Sequence, residues 1–376
     1  MISNPLLYLF FITILVSIFY LLETKISLRV FKLIPAVVFI YASSMLLASL
    51  GLFDLNTEIN SIYKQTKTNL LPAMLFLMLL QVDLRHFFKL GKSLLIAYVL
   101  AVLSIAFGFI VVAIIFDFSP SISGAFGALA GSWLGGTANM IAVGSALNVS
   151  EEAFAYALVI DSVNYTLWVM LLLFLVPFAQ YFNKFTSSSE NLAYLGDIAC
   201  ACSIGTKRYW SLILLALVSS FLIQYLSTFF QIINTTTTMV ILASVFGILA
   251  SFTRLRDLNG SGELSTSMLY LLIALIGSHA VIESFSGLGL YVFAGGCILI
   301  IHALVMITGA KLFKLDLFSI AVASLANIGG VASAPILAAA YNKSLVSVGV
   351  LMAIMGYIIG TFGGLLLGNI LIGMSK

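Results

Sequence analysis

The sequence predicts an all-α polytopic membrane protein made of two inverted repeats with discontinuous or re-entrant helices. Three observations predict it. First, 62% of the 376 residues are hydrophobic and only 8% are charged, whereas soluble domains carry about a quarter charged residues. Second, apolar runs of spanning length recur along the chain without the alternation that strands require. Third, an adjacent glycine pair beside an asparagine interrupts a long apolar segment once in each half. The first reads Gly135-Gly136-Thr137-Ala138-Asn139 and the second Asn327-Ile328-Gly329-Gly330. Paired glycines weaken a helix and amides are costly in hydrocarbon. Such breaks persist only where backbone is enclosed by protein or lines a watery cavity. Matching breaks in two halves point to the binding site of a secondary transporter.

Spans are expected at residues 6–22, 34–52, 70–84 and 93–116. The first run has no basic residue ahead of it and many runs behind it, so it reads as a span rather than a cleaved signal peptide. A glycine-rich segment, 119–147, holds the first break and is followed by a span at 153–178. A polar linker, 183–207, divides the chain, with a short amphipathic helix expected at 192–203. The second half offers spans at 210–230, 239–252, 268–285 and 288–307, the broken segment 319–341, and a closing span at 345–372. Each half therefore reads as a plain hairpin, a short span, a long span, a broken segment and a closing span. The repeats are placed at 1–182 and 208–376, joined by the linker. Units of this length are a duplicated half-transporter rather than a solenoid period.

Net charge, +3, says little; the placement of the basic residues says more. Lys25, Arg29 and Lys32 follow the first span, and Arg85, Lys89 and Lys92 follow the third. Lys184, Lys207 and Arg208 flank the linker; Arg254 and Arg256, then Lys311 and Lys314, lie in the second half. If every segment simply crossed, these groups would fall on both faces and violate the positive-inside rule. If each broken segment enters and leaves by one face, they share a side with Lys343, and only Lys64, Lys67 and Lys376 fall outside. The same parity makes the halves run in opposite directions. A crossing but unwound helix, with one span counted differently, restores parity equally well. Either way the linker is placed in the cytoplasm. Cys200, Cys202 and Cys297 have neither metal-site nor disulfide spacing and read as reduced thiols.

Asp161 carries the most chemistry outside the breaks. It lies about 12 Å into its span at 1.5 Å per residue, where a carboxylate is expensive and marks function by default. Asn164 is three residues on and shares its helical face. Asn139, on the preceding broken segment, meets them if those segments pack together. Oxygen ligands from Asp161, Asn164 and Asn139 suit a hard cation, with Na⁺ expected at Asn139 and Asp161. Protonation is the other way to neutralise a buried acid. A hydrated or interhelical structural aspartate is the plainer alternative. For the glycines the plainer alternative is close helix packing, which accounts for Gly124, Gly127 and Gly131 but not for adjacent pairs beside Asn.

Half-helix N-termini at the breaks offer partial positive charge to an anion. No span holds a Lys or Arg near its middle, so an anionic substrate is expected at Gly135, Gly136, Thr137, Asn327, Gly329, Gly330 and Ser333. Tyr357 and Thr361, one turn apart on the closing span, are the second-half counterparts of the Asp161 region and read as substrate contacts. His279 and Glu283, four apart, read either as a metal or proton site or as the polar end of a helix. Gln81 and Asp83 end the matching span of the first half, where Asp83 and Arg85 read as an interfacial pair. His302, inside a long span, is expected to bond a neighbouring helix. No GxxxxGK[ST] and no hydrolytic Ser/His/Asp or HExxH set is present, so neither an ATPase nor another enzyme is expected. The expected ligands are the solute, the coupling ion and membrane lipid, with no nucleic acid and no further cofactor.

The stretch from Gly135 to Asn139, followed by a span with Asp161, resembles the broken-helix region of the bile acid:sodium symporter family. The whole chain more closely resembles a family of bacterial membrane proteins, domain of unknown function 819. Ala326-Asn327-Ile328-Gly329-Gly330 and Gly356-Tyr357-Ile358-Ile359-Gly360-Thr361 carry that likeness. The family is grouped with the cation:proton antiporter/anion transporter superfamily. The resemblance implies a core domain with two discontinuous elements crossing near mid-membrane, a scaffold domain, elevator-like motion and a homodimer in the bacterial inner membrane. It places Asn139 where the symporters have a sodium-ligating Asn, and Asp161 on the helix bearing the antiporters' ion-binding acid. Ser162 follows Asp161, so the antiporters' two-carboxylate pattern is missing.

The expectation is a secondary transporter of a small anionic organic solute coupled to Na⁺ or H⁺. The alternatives are a Na⁺/H⁺ antiporter working through Asp161, and a ligand-binding membrane sensor or channel without coupled flux.

Overall fold

A computed structural model describes residues 1–26, 36–81, 90–188, 206–229, 234–257, 260–280, 287–342 and 345–375. The expected 192–203 helix, Cys200, Cys202, Asp83, Arg85 and Glu283 lie outside these residues. Among the described residues the regular elements are helices, joined by turns and short irregular segments, with an isolated bridge between Ile2 and Phe53. In order the helices are α1 (Pro5–Leu21), α2 (Ala36–Ser49), α3 (Thr57–Leu80), α4 (Lys92–Phe116), α5 (Pro120–Gly135), α6 (Thr137–Ala146), α7 (Glu151–Leu175) and α8 (Ala179–Thr186). There follow α9 (Thr206–Ser227), α10 (Thr235–Ser251), α11 (Ser261–Gly277), α12 (Leu288–Phe313), α13 (Leu317–Ile328), α14 (Gly330–Tyr341) and α15 (Val346–Met374). Six described helical stretches are long and apolar enough to cross a membrane.

The element order repeats: α1 to α7 is matched by α9 to α15. Compactness cuts across that repeat. One unit takes α1, α2, α3, the first turns of α7, and α9, α10, α11; the other takes α4, α5, α6, the rest of α7, α8, and α12 to α15. Each unit thus draws corresponding elements from both halves.

In the first unit α3 is the central helix. Its second half, Leu71 to Leu80, is buried, and Ala73, Phe76, Leu77 and Leu80 pack with Leu212 and Ala216 of α9 and Leu264 of α11. Gly247 lets α10 approach: a Cβ there would lie 2.7 Å from Leu79 Cβ. The two short spans expected at 70–84 and 268–285 begin earlier than the apolar runs suggest. Asn56 caps α3 by accepting from the Ile59 amide (2.9 Å), and Gly260, with φ of +105°, turns the chain into α11. The polar first turns of these helices had hidden them from a reading by hydropathy.

In the second unit both glycine breaks are tips of helical hairpins. Gly127 faces Leu147, and Gly131 faces Val143 and the Asn139 carbonyl. As one position steps back along α5, its partner steps forward along α6, which is antiparallel packing. The other break has the same symmetry: Phe318 at the start of α13 meets Tyr341 at the end of α14 edge-on, ring centroids 5.4 Å apart. Asp316 caps α13 through the Ser319 amide (2.9 Å), and Asn183 of α8 accepts from the Leu317 amide (2.8 Å).

A seam of glycines joins the first hairpin to α15. Gly127, Gly131 and Gly135 recur every four residues on α5, and Gly356, Gly360, Gly364 and Gly368 do so on α15. A Cβ on Gly364 would stand 2.7 Å from Gly131 Cα, and one on Gly127 2.9 Å from Gly368 Cα. In lipid no hydrophobic force drives helices together, so this backbone-to-backbone packing is the attraction itself.

Gly364→Ala is therefore expected to lower thermal stability by about 1–3 kcal/mol through overpacking. Gly373→Ala on the same helix, with nothing within 4 Å of its Cβ, is expected to be neutral or slightly stabilising. Thermal unfolding of the two purified variants checks the pair.

Candidate functional site

The two tips meet. Gly136 (φ +91°) and Gly330 (φ +61°) hold conformations that favour glycine. A Cβ on Gly330 would lie 3.7 Å from Gly136 Cα, and one on Gly136 3.9 Å from Gly330 Cα. Each break is legible by itself in the chain; the structure brings the two together inside the second unit. Four helix ends converge there: the C-termini of α5 and α13, and the N-termini of α6 and α14. No side chain caps α6 or α14.

Gly135 and Asn139 fix the first tip. Gly135 lies flush against α15, because a Cβ there would overlap the Gly356 carbonyl. Asn139 is fully buried. Its Nδ2 donates to the Gly135 carbonyl (2.9 Å) and the Gly356 carbonyl (3.2 Å), and its Oδ1 accepts from Thr361 Oγ1 (2.7 Å). The Tyr357 carbonyl, 3.1 Å away, is the alternative acceptor for Thr361. Asn139 and Thr361, singled out separately from the sequence, thus form one polar tie between tip and closing helix. Thr137 is the first residue of α6, and Tyr357 is half-buried on α15.

The second tip is less satisfied. Asn327, fully buried in the last turn of α13, donates from Nδ2 to the Ala323 carbonyl (2.8 Å). Its Oδ1 has no partner, and neither has the buried Oγ of Ser333 in α14. Gly329 lies between them, against Ser333 Oγ and the Tyr165 ring. Tyr165 was not foreseen.

Asp161 is half-buried on α7 and is counted with the first unit, whereas Asn139 belongs to the second. Asn164, buried, donates from Nδ2 to the Val292 carbonyl of α12 (3.1 Å), and its Oδ1 faces Gly296. Behind the second hairpin, His302 bonds two helices. Its Nδ1 is 2.7 Å from Ser104 Oγ on α4, and its Nε2 is 2.8 Å from Ser324 Oγ on α13. Trp168 Nε1 donates to that same Ser324 Oγ (2.9 Å), and Ser104 donates to the Ala101 carbonyl (2.9 Å). One proton arrangement serves all of these: Nδ1 protonated and donating, Nε2 accepting from Ser324. A neutral imidazole thereby fastens the second hairpin.

His279, in the first unit, has its Nδ1 3.2 Å from Ser278 Oγ and finds further partners on α3. Its Nε2 bonds Asn60 Oδ1 (3.1 Å), and its ring stacks on Tyr63 with centroids 3.8 Å apart. Tyr63 donates to Glu151 Oε1 (2.6 Å), and Lys67 pairs with the same carboxylate at 3.6 Å. Glu151 carries no distinctive signal in the sequence, since it stands at a helix start, where acidic residues are ordinary. Among the described residues no group of three or more His, Cys, Asp or Glu is placed to hold a metal.

The Asn139–Thr361 tie predicts a measurable coupling. Asn139→Ala and Thr361→Val should each destabilise, and their double-mutant cycle should return about 1 kcal/mol of interaction. Unfolding of the two single variants and the double variant measures it; strict additivity would contradict the bond.

A protein of Bacillus subtilis (strain 168), described as an uncharacterized membrane protein, YjcL, is 24% identical to this chain over 355 residues, covering 87% of each. The family model described as "Protein of unknown function (DUF819)" matches residues 10–374. With its long apolar helices, the chain is a multi-pass membrane protein that belongs to the DUF819 family.

Proposed function

We propose that this protein is a secondary active transporter of a small anionic organic solute coupled to Na⁺ or H⁺. The single observation that carries the reading is the contact of two glycine-broken hairpin tips, Gly136 against Gly330, where two uncapped helix N-termini converge. Partial positive charge at helix N-termini holds an anion without lysine or arginine. Neither hairpin contains a charged residue. Thr137 and Ser333 supply hydroxyls beside those ends, and Tyr357 and Thr361 line the closing helix.

The hairpins are read as re-entrant, each entering and leaving by one face. Each half then crosses the membrane an odd number of times, and the second half is inverted relative to the first. Basic residues collect on the linker side, which is placed in the cytoplasm. The second unit is the moving core and the first the scaffold of an elevator, in a homodimer of the inner membrane. Asp161, half-buried on a spanning helix, favours a second reading in which it exchanges a proton for a cation.

Purified protein in proteoliposomes on a solid-supported membrane tests the proposal against a panel of carboxylates and amino acids. The expected result is a saturable current for one solute class under an inward Na⁺ or H⁺ gradient. Cation-for-proton exchange with no solute requirement would replace it with the antiporter. Solute binding without any flux would replace it with a sensor.

A further inference from the structure

We propose that the corner between α8 and the end of α12 seats the headgroup of an anionic phospholipid, held by Lys184, Lys311 and Lys314 beside the rings of Tyr181 and Phe185. The proposal goes beyond the transporter reading and does not depend on it. Helix length sets the level of this corner. α7 runs 25 residues from Glu151, about 37 Å at about 1.5 Å per residue, and by itself exceeds a hydrocarbon core of about 30 Å. α8, which follows the single turn Val176–Phe178, therefore lies at headgroup depth. Two contacts pin it to the junction of α12 and α13. Lys311 Nζ donates to the Phe185 carbonyl and stands 4.7 Å from the centroid of the Phe185 ring. The Leu317 amide donates to Asn183 Oδ1 (2.8 Å). Lys184 lies between the two contact residues of α8, and Lys314 lies midway between the two of the junction. The three lysines thus form one patch, and all three are exposed.

The chemistry of the patch selects the ligand. Among the described residues none of the three lysines pairs with a carboxylate. Asp316 is near, but it is buried and both its oxygens are bonded to Ser319, Oδ1 to the amide (2.9 Å) and Oδ2 to the hydroxyl (2.7 Å). Asp117, the other described acid of the second unit, adjoins Phe116, whose ring meets Phe293 near the opposite end of α12, 6.3 Å between centroids. Lysines at the C-terminal ends of α8 and α12 also answer the helix dipoles there. That plainer account leaves the rings unexplained. Tyr181 and Phe185 are 77% and 52% exposed, one turn apart on the face that carries Lys184. A free phosphate would leave both rings in water. A phospholipid answers both groups, since its phosphodiester accepts from the lysines while its glycerol and first acyl carbons cover the rings. A zwitterionic headgroup sets its own cation against the lysines, so the fitting lipid is an anionic one. Because Asn183 also binds the Leu317 amide, a lipid that holds α8 holds the first turn of α13 and with it the base of the second hairpin.

The test is thermal unfolding of the full-length protein in detergent, titrated with phosphatidylglycerol, with phosphatidylcholine, or with glycerol phosphate as the free headgroup. Wild-type protein is expected to gain stability saturably with phosphatidylglycerol and not with the other two. The gain should shrink as salt is raised. Lys184→Gln combined with Lys314→Gln is expected to raise the half-saturating lipid concentration at least about tenfold. Without lipid this double variant should unfold close to the wild-type temperature. Lys64→Gln, which removes an exposed charge from α3 in the other unit, should leave the lipid response unchanged. Lysines that served only the helix ends would do the reverse, lowering the unfolding temperature without lipid and leaving the lipid response intact.

The lipid seat is overturned if phosphatidylglycerol and phosphatidylcholine stabilise wild-type protein alike, or if the double variant keeps the full response. It is equally overturned if Lys64→Gln weakens the response as much, which would mean attraction to charge at large. Glycerol phosphate that reproduces the whole gain would replace the lipid with a soluble anion. None of these outcomes touches the transporter reading, which is tested by solute current.

Discussion

The contact between Gly135 and Gly356 is the constraint on which the arrangement of the second unit depends. A side chain at either position would separate α5 from α15. The seam continues through Gly131 with Gly364 and Gly127 with Gly368, so the first hairpin is aligned over its length by backbone contact. Only with that alignment does Asn139 reach both Gly356 and Thr361. Only with the tip so held does Gly136 come against Gly330. In a medium that supplies no hydrophobic drive between helices, small residues and a few enclosed hydrogen bonds set the geometry.

The polar groups of the second unit divide by how they are satisfied. Asn139 uses both ends of its amide on the hairpin and the closing helix. His302 has a partner on each ring nitrogen, and Trp168 completes that chain through Ser324. These groups are bonded to partners within the protein. Against that background the unpaired oxygens of Asn327 and Ser333 are conspicuous, since they occur at the tip where backbone regularity also fails. Function is expected where local rules are broken without local compensation. The first tip is braced by its own hydrogen bonds and the second keeps two buried oxygens without a partner, so the two breaks are alike in sequence and different in how they are held.

Much of this was legible in the sequence. The apolar runs located the helices, and the glycine pairs located both tips to the residue. The placement of lysine and arginine fitted either re-entrant hairpins or a crossing but unwound helix, and the pairings Gly131–Val143 and Phe318–Tyr341 show each broken segment packed as an antiparallel pair of helices. What stayed hidden has physical causes. Sequence order could not show that Asn139 and Thr361 share a hydrogen bond across 222 residues. The glycines of α15 recur every four residues, yet their partners on α5 are knowable only once the helices are docked. Tyr165 and Trp168 look like ordinary aromatic residues of a spanning helix until Gly329 and Ser324 are placed beside them. Polar first turns concealed the starts of α3 and α11 from any hydropathy reading.

The most direct measurement of the central claim is cross-linking of the two tips. Gly136→Cys and Gly330→Cys would be combined in a chain whose Cys200, Cys202 and Cys297 are replaced by serine, then oxidised in the membrane and read by peptide mass. The close approach of the two glycine backbones predicts an intramolecular disulfide in the double variant. A folded double variant whose two thiols stay reduced, under conditions that oxidise a surface pair, would show that the tips do not meet and would contradict the account.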